Sequence, residues 1–327
     1  MCQLTFRYLT PIFNFEPLEF SHSGTYKDAT YSIVLKQYEQ GPASFAELTK
    51  YAREESKKRL QSLHLSGDHS WGGTDIFLIV DVIQPLTEDR RVASNTVEVN
   101  GMHESILSAL RLHSTKGITY ELTYHFRHPH TEFGDFSIGS SSSKQYPFSR
   151  LGSGKSKLSH DHFDRCRDTF DILLNTEETE DSATIDKVRQ LAVAYHKAAF
   201  TFGDVAHAFL ILMIAFEAMF KSEDENLPKA ASRIAKLLSK SKGDRAGIYQ
   251  QFHSSDPDTF GKIRNAIAHG SPNLDQAVVK AKYVPLHELI QRAIVELLMI
   301  PEGTINNERD YYEEIDLHVN NYYNGLP

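Results

Sequence analysis

Residues 204–220 read DVAHAFLILMIAFEAMF, and apolar side chains fill nearly every position from Ala208 to Phe220. A helix that is apolar all round has no face for water, so neighbouring elements must surround it. The run is too short to span a bilayer, and Glu217 interrupts it. It reads as the central helix of a bundle, and the flanking segments fit. Leu158 to Leu174 is one candidate helix. Thr184 can cap another that runs to about Phe200. Lys229 to Ser239 places Ile234, Leu237 and Leu238 on one side. Pro257 to about His269 forms a further helix, ended by Gly270 and Pro272, neither of which readily continues one. Leu286 to Ile300 is the last, stopped by Pro301.

The N-terminal part has a different texture. Asp75 to Ile83, DIFLIVDVI, is a short β-branched run and reads as a buried strand. Ile118, Tyr120, Leu122, Tyr124 and Phe126 alternate with polar residues, as on a strand with one wet face. Ser44 with Glu47 resembles a capping box, followed by Phe45, Leu48, Ala52, Leu60 and Leu63 at helical spacing. His103 to His113 can form a short helix. Sheet order does not follow from these patterns. Between the two parts lies SIGSSSSKQYPFSRLGSGKSK (137–157), a Ser/Gly-rich stretch that divides the chain near residue 150.

With 327 residues, 40% apolar and 24% charged, the chain has the size of two ordinary domains, and a disordered, collagenous or coiled-coil class is excluded. The fold class expected is α+β: a mixed α/β N-terminal domain over 1–150, an all-α bundle over 151–301, and an acidic, tyrosine-rich tail over 302–327. The formal net charge of −8 speaks against a generally basic nucleic-acid coat, though not against a local patch. Two cysteines, Cys2 and Cys166, suit a reducing compartment. MCQLTFRYLT lacks the build of a signal peptide. The expected location is cytoplasmic, with no membrane partner.

The segment Arg264-Asn265-Ala266-Ile267-Ala268-His269 gathers chemistry on one helix end. Asn265 and His269 are four apart and share a face. Arg264 lies about 140° round the helix from His269. Imidazole moves protons near neutral pH, and a guanidinium grips phosphate oxygens in pairs. Those groups suffice for an RNA 2′-hydroxyl to attack its own phosphate, with no metal and no cofactor required. On spacing alone the plainer reading is a helix C-terminus whose cation complements the dipole. A basic stretch precedes the segment: Lys229, Arg233, Lys236, Lys240, Lys242 and Arg245 stand against only Asp244. It is either a solvated helix face or a patch for phosphates.

Taken in order, AFEAMF (215–220), ASRIAKLL (231–238) and RNAIAHG (264–270) resemble the HEPN superfamily, the nucleotide-binding domains of higher eukaryotes and prokaryotes, and within it the ApeA-like group. The resemblance covers roughly 185–300. It implies a helical bundle that forms a homodimer, bringing two Arg-polar-x-x-x-His motifs together in a cleft. It implies a metal-independent endoribonuclease of prokaryotic anti-phage defence or toxin systems. By position, Arg264 would hold the scissile phosphate, His269 would be general acid or base, and Asn265 would orient the histidine or the phosphate. Two residues after His269 stands Ser271, where toxins paired with a nucleotidyltransferase antitoxin often have tyrosine. Glu217, costly to bury alone, would pair with Arg264 or Arg233, as a structural ion pair or to position Arg264. Lys229, Arg233, Lys236 and Lys240 would bind RNA. The N-terminal domain would sense a phage or nucleotide trigger, or recognise RNA. The alternative is a non-catalytic RNA-binding or dimerisation module of the same kind.

Other signals carry less. Gly152-Ser153-Gly154-Lys155-Ser156 ends like a P-loop, but Ser149 stands where the first glycine is needed. His125, His128 and His130, and His160, Asp161, His162 and Asp164, read as polar loops rather than metal ligands. His196 and His207 read as structural. Trp71 reads as packed at a turn.

Overall fold

The computed structural model describes residues 3–13, 15–39, 42–65, 76–85, 93–116, 118, 120, 122–128, 136–140, 155–176, 184–271, 274–301, 304 and 310–324. Cys2, Trp71, His130, Pro272, residues 141–154 of the Ser/Gly-rich stretch and the acidic loop 177–183 lie outside them. The chain divides into two compact units, Met1–Gln145 with Ser153–Arg167, and Tyr146–Gly152 with Asp168–Pro327. The fold is α+β, an antiparallel sheet with helices in the first unit and a helical bundle in the second. Among the described residues no helix is long and apolar enough to cross a membrane.

The first unit contains strands β1 (Gln3–Ile12), β2 (Glu19–Tyr26), β3 (Ala29–Gln37), β4 (Ile76–Pro85), β5 (Leu122–His128) and β6 (Phe136–Ser140). Its helices are α1 (Pro42–Leu48), α2 (Glu54–Leu65) and α3 (Ala93–His113). The sheet order is β2-β3-β4-β1-β5-β6. The DIFLIVDVI run became β4, the alternating stretch became β5 from Leu122, and the short helix at His103 is the second half of α3. The Ser44–Glu47 pair does not start a helix. α1 begins before it, at Pro42, and the helical run breaks where Ala52 N–H donates to the Thr49 carbonyl at 2.9 Å.

Side chains alternate across β1. Leu9 joins Phe77, Ile79, Tyr124 and Phe126 in a core with Tyr38, Leu48, Ala52 and Leu60. Tyr8 and Thr10 face α3, where the Tyr8 ring stacks on His103 at 5.1 Å and Thr10 Oγ1 lies 2.9 Å from His103 Nε2. Arg7 sits directly across from Asp81 on β4, and their side chains form a two-pronged ion pair with 2.6 Å contacts. The segment around Ser156 is sewn to this unit by bridges Phe15–Ser156 and Ser114–Leu158. The helix expected from Leu158 therefore starts later, as α4 (Phe163–Asn175), after a 3-10 turn at His160–His162.

The second unit continues with α5 (Thr184–Thr201), α6 (Val205–Phe220), α7 (Leu227–Leu238), α8 (Lys242–Phe252), α9 (Phe260–Ala268), α10 (Gln276–Leu298) and α11 (Tyr311–Asn324). The central helix is where its sequence placed it: α6 packs against α5, α7, α9 and α10. Phe216 stacks on Phe252 of α8 at 4.3 Å, and Phe252 meets Phe260 edge-on. A side chain at Gly261 would collide with Leu227 and crowd the Phe252 carbonyl at 3.0 Å, so glycine lets α9 approach. α10 starts at Gln276 rather than Leu286, because Pro285 is accommodated inside it. Within the tail, Tyr311, Ile315 and Val319 of α11 are buried, and α11 packs on α7.

Helix ends in this unit are closed by arginines from elsewhere in the bundle. Arg233 donates to the Phe220 carbonyl at 2.7 Å, Arg292 to Leu238 at 3.2 Å, and Arg189 to Leu297 at 3.1 Å and to Ile300. Each supplies a donor to carbonyls that a terminating helix leaves open, and each complements its dipole.

His287 of α10 is fully buried beside His196, Phe200 and Tyr283, and neither of its ring nitrogens is hydrogen-bonded among the described residues. Burial lowers its pKa from 6.5 to about 4. The folded state thus holds the neutral ring. Its stability is complete above pH 6.5 and erodes as pH falls toward 4, by about 3 kcal/mol in all. Urea titrations across that range should show a smaller acid loss for His287→Leu than for the parent, whatever constant offset the substitution adds. Parallel pH curves would contradict this.

Candidate active site

The end of α9 is shaped by one glycine. Thr259 caps its start, accepting from Lys262 N–H. At its end, Gly270 has φ +61°, its N–H donates to the Ile267 carbonyl at 3.0 Å, and Ser271 N–H donates to Ala266 at 2.9 Å. This is a Schellman turn with His269 at the C-cap. The turn carries His269 out of the helix into solvent, where its ring has no hydrogen-bond partner among the described residues.

One turn earlier, Arg264 reaches across to α6. Its Nη2 donates to Glu217 Oε2 at 3.2 Å, and its Nε lies 3.1 Å from Oε1. Nε is buried and makes no well-angled hydrogen bond, whereas the Arg264 side chain as a whole is 32% exposed. Glu217 therefore covers the inner Nε–Nη2 edge and leaves the Nη1–Nη2 edge outward. On that side Nη1 donates only to the amide oxygen of Asn265, at 3.3 Å. The guanidinium fork has a second edge matched to a pair of phosphate oxygens. Of the two arginines open to Glu217, it pairs with Arg264, not Arg233.

The second unit has five arginines among its described residues. Arg189, Arg233, Arg245 and Arg292 each donate to a main-chain carbonyl. Arg264 donates to side chains alone. Within one chain the structure brings Glu217, Arg264 and Asn265 into contact and leaves His269 beyond the end of the same helix. A partly exposed guanidinium can bind a phosphate, and an exposed imidazole can carry a proton.

The basic stretch is open to solvent only in part. Arg233, expected to bind RNA, is only 1% exposed and turns inward instead. Its Nη1 and Nη2 donate to Glu225, to Asp316 of α11 at 2.8 Å and to the Phe220 carbonyl, and the Tyr312 ring lies 5.3 Å away. The Arg233 guanidinium, with Lys229 assisting, pulls the Glu225 carboxyl down to about 2 against desolvation. Lys229 pairs with the same Glu225 and sits 3.9 Å from Asp316, and Lys236 donates to Asn320 at 3.0 Å. Lys240 is exposed. The acidic tail thus lies along the cations of α7. The four-residue spacing of Glu225, Lys229 and Arg233, which begins just before the cap of α7, was the sequence sign of this network, and the part of Asp316 had none.

No protein-family model, curated protein or solved structure significantly matches the chain.

A methyl group added at Gly270 would meet only open space, so its replacement acts through the backbone alone. Gly270→Ala should lower the free energy of unfolding by about 1–2 kcal/mol in urea titration, and Gly270→Asn by less. Equal stability of all three would contradict a left-handed turn at this position.

Proposed function

We propose that the second unit is a metal-independent endoribonuclease of the HEPN kind, acting on RNA as a homodimer in anti-phage defence or as a toxin. The observation that carries the reading is Arg264: partly exposed, braced on its inner edge by Glu217, spent on no main-chain carbonyl, and followed by an open imidazole at His269. An arginine held this way presents its outer edge to the non-bridging oxygens of a phosphodiester and stabilises the charge that builds there. His269 of one chain takes the proton of the 2′-hydroxyl. The attacking oxygen forms the new bond to phosphorus, and the 5′-oxygen leaves, protonated by the partner's His269. Asn265, already in contact with Arg264, keeps the guanidinium facing the phosphate. The products are a 2′,3′-cyclic phosphate and a 5′-hydroxyl. The first unit would hold or release this activity in answer to a phage or nucleotide trigger.

The reading as a non-catalytic RNA-binding or dimerisation module draws on one observation: within a single chain Arg264 contacts Glu217 and Asn265 and not His269. The two readings part on the need for both residues in cleavage.

The deciding assay incubates the protein with tRNA and mRNA in EDTA and maps fragment ends. The parent should yield 5′-hydroxyl ends. His269→Ala and Arg264→Ala should each lose about 100-fold or more in rate. Arg264→Lys should fare little better, since an ammonium lacks the planar fork that offers one edge to Glu217 and another to a pair of phosphate oxygens. A folded His269→Ala protein that cuts at the parental rate would overturn the assignment.

A further inference from the structure

Phe202, in the link between α5 and α6, has a ring 37% exposed to solvent. His207, in the first turn of α6, lies beside it with planes within 17° of parallel and centroids 6.2 Å apart. The His207 side chain is 66% exposed, yet it is not loose. Its Nδ1 lies 2.9 Å from Asp204 Oδ1, the same carboxylate that caps α6 by accepting from the N–H groups of Ala206 and His207. Those bonds, led by the His207 N–H, hold Asp204 below its ordinary range. An ionised carboxylate only accepts, so His207 Nδ1 donates in this contact, which fixes the ring's orientation. Two flat rings are thus held near-parallel and open at the head of α6.

The same face of α6 leads to the candidate site. From His207 it passes through Leu210, Ile211 and Ile214, all half-buried, to Glu217, the brace of Arg264. The ten-residue step from His207 to Glu217 spans about 15 Å along the helix. A strand whose phosphate sits on Arg264 can lie along this apolar strip with one of its bases over the rings. Aromatic faces bind any unstacked base, whereas a duplex keeps its base faces covered.

We propose that Phe202 and His207 form a base-stacking platform for single-stranded RNA, set along α6 from the phosphate held by Arg264. The proposal rests on the ribonuclease reading for the identity of the strand. It makes unpaired RNA the substrate class and gives α6 a second contact, of aromatic rather than ionic character.

The test uses the full chain and a fluorescein-labelled, 2′-O-methylated short single strand, which 2′-hydroxyl attack cannot cleave. Phe202→Ala and Phe202→Leu should each weaken binding about tenfold, while Phe202→Trp should bind as tightly as the parent or tighter. The leucine separates stacking from mere apolarity. A strand of abasic sugars should bind all four proteins alike. Because Phe202 is exposed in a link, circular dichroism should be unchanged throughout. Parental affinity in Phe202→Leu would overturn the platform. So would a lower sedimentation coefficient for Phe202→Ala, which would assign the ring to contact with a second copy. The two readings fail separately. If the nuclease fails, cleavable RNA stays intact while the Phe202 series still ranks binding. If the platform fails, cleavage depends on Arg264 and His269 with no order among the Phe202 variants.

Discussion

A helix that ends inside a protein leaves carbonyls facing nothing, and this bundle answers with guanidinium groups brought from other helices. Arg233 closes α6, Arg292 closes α7 and Arg189 closes α10. A buried cation must in turn be balanced, so each deep arginine recruits acids: Asp186 for Arg189, Glu225 and Asp316 for Arg233. The place of Asp316 in the tail follows from this chain of requirements. α6 needs a donor at Phe220, the donor is a charge, and the charge needs Asp316. The interlocking also ties the angles between helices to side chains that reach in only one direction each.

Against that background Arg264 stands apart by what it does not do. An arginine that closes a helix cannot leave without exposing main chain, whereas one bonded to Glu217 and Asn265 can trade a partner for a phosphate at small structural cost. Glu217 gains from the same arrangement. It is the one carboxylate on an otherwise apolar helix, and its counter-charge is a neighbour whose outer edge stays wet. The Schellman turn at Gly270 performs the matching task for His269, turning the backbone so that the imidazole leaves the bundle.

The central helix and the end of α9 were legible because burial on all sides and a glycine past the last turn each leave marks within a few residues. The same holds for β4 and for the run from Arg264 to Gly270. β1 was not legible, because both its faces are covered and Thr5, Arg7 and Thr10 are buried among apolar residues, which erases the alternation. α8 was missed because its residues are mostly polar and only Ile248 and Phe252 are buried. The cations of α7 read as a free face because helical spacing reports which residues share a side, never what lies opposite. The partner of Arg233 stands 83 positions later. Choosing between Arg233 and Arg264 for Glu217 was beyond spacing for the same reason.

That distance has a kinetic meaning. Helical bundles tend to fold fast because their contacts are local. Here single helices can form alone in microseconds, but the caps join residues 54, 108 and 111 positions apart. The ends of the bundle therefore close only after long loops have been gathered, a step whose entropy must be met before its hydrogen bonds are gained. During synthesis, which runs from the N-terminus, α6 emerges well before the carboxylate that neutralises its cap. The helix at the centre of the bundle is capped in full only when the end of the chain arrives.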